Sequence, residues 1–175
     1  MVKDLIIRIY MGLINIPTSL YIIFGVMAPI VIFGFYLYFA FVHEMCHASK
    51  IRKHGGEDID VNIEINHEAG KGFLSMVTKS SYLRTLAENK EKEDVQEIIR
   101  EIAIAGIHGE KKACCAILIL AVLAFGIALY VGYIAIWAYM FICSMVAYLL
   151  AAVYRKGSSD MKYYRNPTTF EYNID

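Results

Sequence analysis

Hydrophobic positions in this chain fall into two long blocks that flank a polar middle. The first block runs from Leu5 to Val42 and is broken by Arg8, Asn15 and the Pro17-Thr18-Ser19 stretch. At 1.5 Å per residue, Leu20 to Val42 would extend roughly 35 Å, enough for one membrane helix. Met1 to Ile16 reads as an interfacial helix or as a further, shorter span. Pro17 suits a helix start, and Pro29 should kink the span without ending it. The second block, Ala113 to Tyr154, contains no charged residue. It is about twice the length of a single span, which predicts a tight helical hairpin turning near Gly132.

Between the blocks, Ser49 to Lys112 forms a polar insert large enough for a small lobe. Asp60 to Ile65 alternates, with Val61, Ile63 and Ile65 on one side, and predicts a short strand. Glu68-Ala69-Gly70-Lys71-Gly72 predicts a turn, with Phe73 to Thr78 as the antiparallel partner. Ser80 to Asn89 predicts a short helix, followed by the solvated charge run Lys90 to Asp94. Asp94 then caps a longer helix, with Glu97 completing a capping-box pattern. Along that helix Val95, Ile98, Ile99 and Ile102 mark a buried stripe.

Composition supports this outline. Of 175 residues, 58% are hydrophobic, and the mean hydropathy of +0.47 points to an integral membrane protein. The expected fold is a mainly α membrane protein with three transmembrane helices, four if the N-terminal segment also crosses. A small α+β, zincin-like insert would face the cytoplasm. The corresponding segments are 1–48, 49–112, a hairpin over 113–155 and a polar C-terminal tail over 156–175. No small-residue cleavage site interrupts the first block before Glu44, so its span should remain as an anchor. Lysines and arginines crowd the insert and the tail, which places both on the cytoplasmic side. Net charge is zero and no basic patch interleaves with aromatics, so nucleic acid is not an expected partner. Cys46, Cys114, Cys115 and Cys143 lie in or beside apolar runs, as reduced thiols would.

The chemistry sits where the first block ends. His43-Glu44-Met45-Cys46-His47 is an HExxH motif. Residues four apart on a helix share a face, so His43 and His47 can grip one metal ion, here expected to be Zn2+. Glu44 is placed to take a proton from water at that metal. The blander alternative is a pair of histidines at a membrane helix end beside a solvated Glu44.

Hydrolytic zinc sites use three protein ligands and leave one position open. Glu110 is the candidate for the third. If the helix from Asp94 continues, Glu110 lies about 20° from Ile99 around the axis and shares its apolar face. A carboxylate pointed inward needs a cation or a strong donor, and zinc would satisfy it. His108 should face away. The competing account of Glu110 is an interfacial carboxylate that neutralises Lys111 and Lys112. His54 and His67 read as loop histidines, and Asp58 and Asp60 remain outside candidates. The Glu68–Gly72 turn lacks the strand–loop–helix frame of an ATP site.

Residues 43–110 resemble the peptidase domain of the FtsH-type ATP-dependent membrane metalloproteases. The shared order is the His43-to-Ala48 helix, the Asp60–Ile65 strand, the Gly70-to-Leu74 stretch and a helix ending in Ala105-Gly106-Ile107-His108-Gly109-Glu110. The resemblance implies zinc on His43 and His47, with Glu44 as general base. The ATPase module of that family is absent from this sequence. Its third ligand is a downstream aspartate in a Gly-Ala-x-x-Asn-Asp segment, where this chain has uncharged membrane helices. A weaker resemblance is to site-2 proteases, which also carry HExxH at the end of a membrane helix. Their Asn-Pro-Asp-Gly-type motif is missing, and Asn166-Pro167-Thr168 is a poor stand-in.

The expected function is an ATP-independent, membrane-anchored zinc metalloendopeptidase acting on flexible or membrane-proximal polypeptides. Its partners would be a polypeptide substrate and the lipid bilayer, with a homo-oligomer or a separate ATPase or adaptor also compatible. The alternative is a non-proteolytic membrane protein with a structural or regulatory metal site. A di-iron hydroxylase would need about eight histidines, and this chain has five.

Overall fold

The computed structural model of the protein describes residues 2–65, 74–156 and 158–172. Along the chain these form helix α1 (Val2–Ile14), α2 (Thr18–Lys53), strands β1 (Asp60–Ile65) and β2 (Leu74–Lys79), α3 (Ser81–Glu88), α4 (Glu93–Val131), α5 (Ile134–Lys156) and α6 (Ser159–Arg165). A 3-10 turn follows over Pro167–Thr169. The predicted Glu68–Gly72 turn and His67 lie outside the described residues.

Three helices, α2, α4 and α5, are long and apolar enough to cross a membrane. They present large apolar side chains outward, among them Ile22, Val26, Ile30, Leu123, Ile127 and Leu149, each more than half exposed. Such an exterior is costly in water and stable in lipid. The chain is a mainly α-helical membrane protein. The 13 described residues of α1 reach about 20 Å, and α1 is not among the three helices long and apolar enough to cross a membrane. Pro29 lies inside α2 and does not end it.

The chain divides into two compact units. The first comprises Met1–Leu37 and Cys114–Leu150. Here α4 and α5 form the predicted hairpin, and Gly132 makes the turn with φ +85°, a conformation that costs a residue with Cβ. The Tyr133 N–H donates to Ala128 O at 2.9 Å, closing the end of α4 in the manner of a Schellman motif. Trp137 Nε1 donates across the hairpin to Ala121 O at 2.9 Å. Gly12 of α1 lies against the Ile134 side chain.

The second unit comprises Tyr38–Ala113 and Ala151–Asp175. Its core is Ile51, Leu83, Leu86, Val95, Ile99, Ile102 and Phe170, with Ile98 packed alongside. The predicted stripe is therefore buried, and each fully buried Ile contributes about 1.5–3 kcal/mol of apolar transfer. Strands β1 and β2 pair antiparallel, with Val61 opposite Thr78 and Ile63 opposite Met76. Ser80 caps α3, its hydroxyl accepting from the Tyr82 N–H at 3.2 Å. Helix α4 begins at Glu93, so Asp94 sits in its first turn rather than at the cap. There it still complements the helix dipole.

The described part of the polar tail, residues 158–172, packs into this second unit. Pro167 is fully buried and Phe170 belongs to the core. Lys90 Nζ donates to Phe170 O at 3.0 Å, and the Ser80 N–H donates to the Tyr172 hydroxyl at 2.8 Å. Apolar Pro167, Phe170 and Tyr172 outweigh the charges between them once a hydrophobic surface is available.

Candidate metal centre

Every residue of the site belongs to the second unit. Helix α2 brings His43 and His47 onto one face, and both are buried. Their Nε2 atoms lie 2.9 Å apart. A third polar atom meets them: Asp160 Oδ2, 2.8 Å from His43 Nε2 and 3.5 Å from His47 Nε2. Asp160 comes from α6, immediately after the hairpin.

The far edges of the two rings set what these atoms can do. His47 Nδ1 lies 2.8 Å from the Ile102 carbonyl oxygen, which only accepts, so this nitrogen carries a proton. The neutral ring then presents a lone pair at Nε2. His43 Nδ1 faces Glu110 Oε1 at 2.8 Å, off the line of a hydrogen bond, so that the carboxylate favours a proton there by charge alone. Both Nε2 atoms and the Asp160 oxygen therefore converge on one spot, where a ring nitrogen either donates a proton to the carboxylate or offers a lone pair to a cation. Such a cluster must hold a proton or a metal cation between its members. Burial would push the Asp160 carboxyl up, but the His43 and His47 hydrogen bonds and charges prevail and hold it well below the usual carboxylate range. An ionised carboxylate with two imidazoles is a suitable donor set for a divalent cation.

Glu44 stands beside this group. Metal-ligating atoms of His43, Glu44 and His47 all lie within 4.8 Å of one another. Thr78 of β2 donates its hydroxyl to Glu44 Oε2 at 2.7 Å, which fixes the carboxylate without neutralising it.

Glu110 also reaches the histidine pair, from another side. The helix does continue through it, and the side chain is buried at 5% exposure while His108 faces out. However, Glu110 meets the Nδ1 edge of His43, not the Nε2 edge where the other donors converge. Its second oxygen pairs with Arg155. Arg155 is thus a cation that meets this inward carboxylate. Asp58 accepts from Ser80 Oγ and the Ser81 N–H, and Asp60 accepts from Asn62. His54 and Lys50 pair with Glu101. None of these carboxylates has a described contact with the histidine pair.

Sequence reasoning missed Asp160. A usable signal exists, because Asp160 is the only acidic residue between Glu110 and Glu171. A hairpin of two spanning helices also returns the chain to the membrane face it left.

Close approach of α2 to α4 depends on Gly106. A Cβ there would lie 2.5 Å from His43 Nε2 and 2.6 Å from two ring carbons, so the ring rests directly on the Gly106 backbone. Gly109 similarly makes room for Cys46. Gly106→Ala is expected to displace the His43 ring, and overpacking of this kind costs about 1–3 kcal/mol. Zinc affinity by chelator competition should fall sharply, whereas Gly126→Ala, with nothing within 4 Å, should leave it unchanged. Equal affinities for the two variants would contradict this placement of the ring.

No protein family matches the chain, and neither a curated protein nor a solved structure matches it. Fold and site together define a helical membrane protein in which α2 carries a His43, Glu44 and His47 group that could hold a metal ion.

Proposed function

We propose that this chain is a membrane-anchored, ATP-independent zinc metalloendopeptidase. One observation carries the proposal: His43 Nε2, His47 Nε2 and Asp160 Oδ2 meet within 3.5 Å beside the Glu44 carboxylate. Two histidines and a carboxylate form a known ligand set for hydrolytic zinc, with the fourth position left to water or substrate. Bound zinc would supply Lewis acidity, polarising a peptide carbonyl and making water acidic enough to react near neutral pH. Glu44 takes the proton from the attacking water and passes it to the leaving amine. Thr78 keeps that carboxylate aimed, and Asp160 supplies the donor that both family resemblances seek in a downstream aspartate.

The β-hairpin suggests the kind of substrate. Thr78, which reaches Glu44, shares a face with Met76, Val61 and Ile63 by the strand register. Ile63 is exposed there at 60%. An extended segment could pair with a strand edge and lay apolar side chains on this face. Flexible, membrane-proximal polypeptides fit that requirement, because strand pairing takes an extended segment. Basic residues in the insert and tail favour a cytoplasmic position for the zincin-like lobe.

The purified protein should cleave an unfolded casein-like peptide, lose that activity to a chelator and regain it on addition of zinc. Stoichiometric zinc without cleavage of any such peptide would favour a regulatory or structural metal site instead.

A further inference from the structure

We propose that Glu110 and Arg155 are a positioning pair for the metal centre, acting on two of its three donors without touching the metal. The inference rests on the metal reading above and deepens it. His47 is oriented by a main-chain carbonyl, that of Ile102, which no side-chain substitution removes. His43 differs, because the described group at its Nδ1 is the Glu110 carboxylate at 2.8 Å. A carboxylate behind a ligating imidazole fixes its tautomer and makes the opposite nitrogen a better donor. Glu110 beside Nδ1, close but off the line of a hydrogen bond, favours a proton on that nitrogen and leaves Nε2 for the metal.

Arg155 extends the device to the third donor. It occupies the last turn of α5, five residues before Asp160, and its guanidinium pairs with the other Glu110 oxygen. Anchoring Arg155 to α4 fixes the root of the segment that carries Asp160 to the histidines. Both members of the pair are buried, with side chains only 11% and 7% exposed. A buried ion pair is a poor source of stability, since apolar residues of similar volume often serve as well or better. Its orientation toward the ring accounts for the pair better than its contribution to folding does.

The full chain, purified in detergent, allows both roles to be separated. Three variants are compared with wild type: Glu110→Gln, Arg155→Lys and the apolar double variant Glu110→Leu/Arg155→Met. Each is measured for melting in chelator, for zinc affinity by chelator competition, and for the ligand count at zinc by X-ray absorption. The double variant should melt near wild type yet bind zinc about 10–100-fold more weakly. Arg155→Lys, which keeps the charge, should lose less. Glu110→Gln should weaken zinc binding while keeping the same number of protein donors around the metal.

Wild-type zinc affinity in the double variant would show the pair to be purely structural and overturn the proposal. Loss of an oxygen neighbour in Glu110→Gln would make Glu110 a ligand and overturn it equally. If the double variant does not fold, Glu110→Gln decides alone, and unchanged affinity there counts against the idea. A wild-type chain that takes up no zinc removes the metal reading itself, an outcome visible before any variant is made.

Discussion

Glu44→Gln is expected to lose peptide hydrolysis by about 10²–10⁴-fold or more while zinc remains bound. Glutamine matches glutamate in size, and its amide oxygen can still accept the Thr78 hydroxyl that now reaches Glu44 Oε2 at 2.7 Å. Packing and the three converging donors should therefore persist. What disappears is the basic lone pair that takes a proton from the attacking water. The measurement is the cleavage rate on an unfolded peptide alongside bound zinc per chain. Undiminished cleavage with full zinc would remove Glu44 from the mechanism.

Asp160→Ala should have the largest effect on the metal. It deletes one of three donors and leaves His43 and His47 alone around the cation. Loss of outer partners typically weakens metal binding about 10–100-fold, and loss of a direct donor should exceed that. Thermal melting gives an independent readout. Zinc at 100 times its dissociation constant would stabilise the wild-type fold by about 2.7 kcal/mol, a gain that Asp160→Ala should not show at the same concentration. In chelator Asp160→Ala should melt below wild type, because it loses the His43 and His47 contacts that favour the ionised carboxylate, so the readout is the further shift on adding zinc. Zinc binding by the variant at wild-type strength would mean that the third donor lies elsewhere.

How much of this was legible depends on the range of the interaction. The hairpin was, because an uncharged run of double length with Gly132 near its middle admits few alternatives in lipid. The stripe Val95, Ile98, Ile99 and Ile102 was legible for the same local reason, helical periodicity. Helix phase also foretold that Glu110 points inward and His108 outward. It could not say which cation would meet Glu110. Arg155 lies 45 positions away, and only the packing of α5 against α4 brings it near. The packing of the tail was not legible, because its charges are conspicuous in sequence, whereas Phe170 and Pro167 become decisive only beside a core formed by α2, α3 and α4.

The amino-acid order alone established a helical membrane protein and two imidazoles on one helix face with an acid beside them. These follow from spacings of a few residues and from the solvation of apolar side chains. Tertiary structure alone decided how the scattered carboxylates stand toward the histidines. Asp58, Asp60, Glu110 and Asp160 are chemically similar, and the choice rests on distances between segments far apart in the chain. Asp160 reaches the Nε2 edge and Glu110 the Nδ1 edge of the same ring. A pattern of residue types carries no record of that difference.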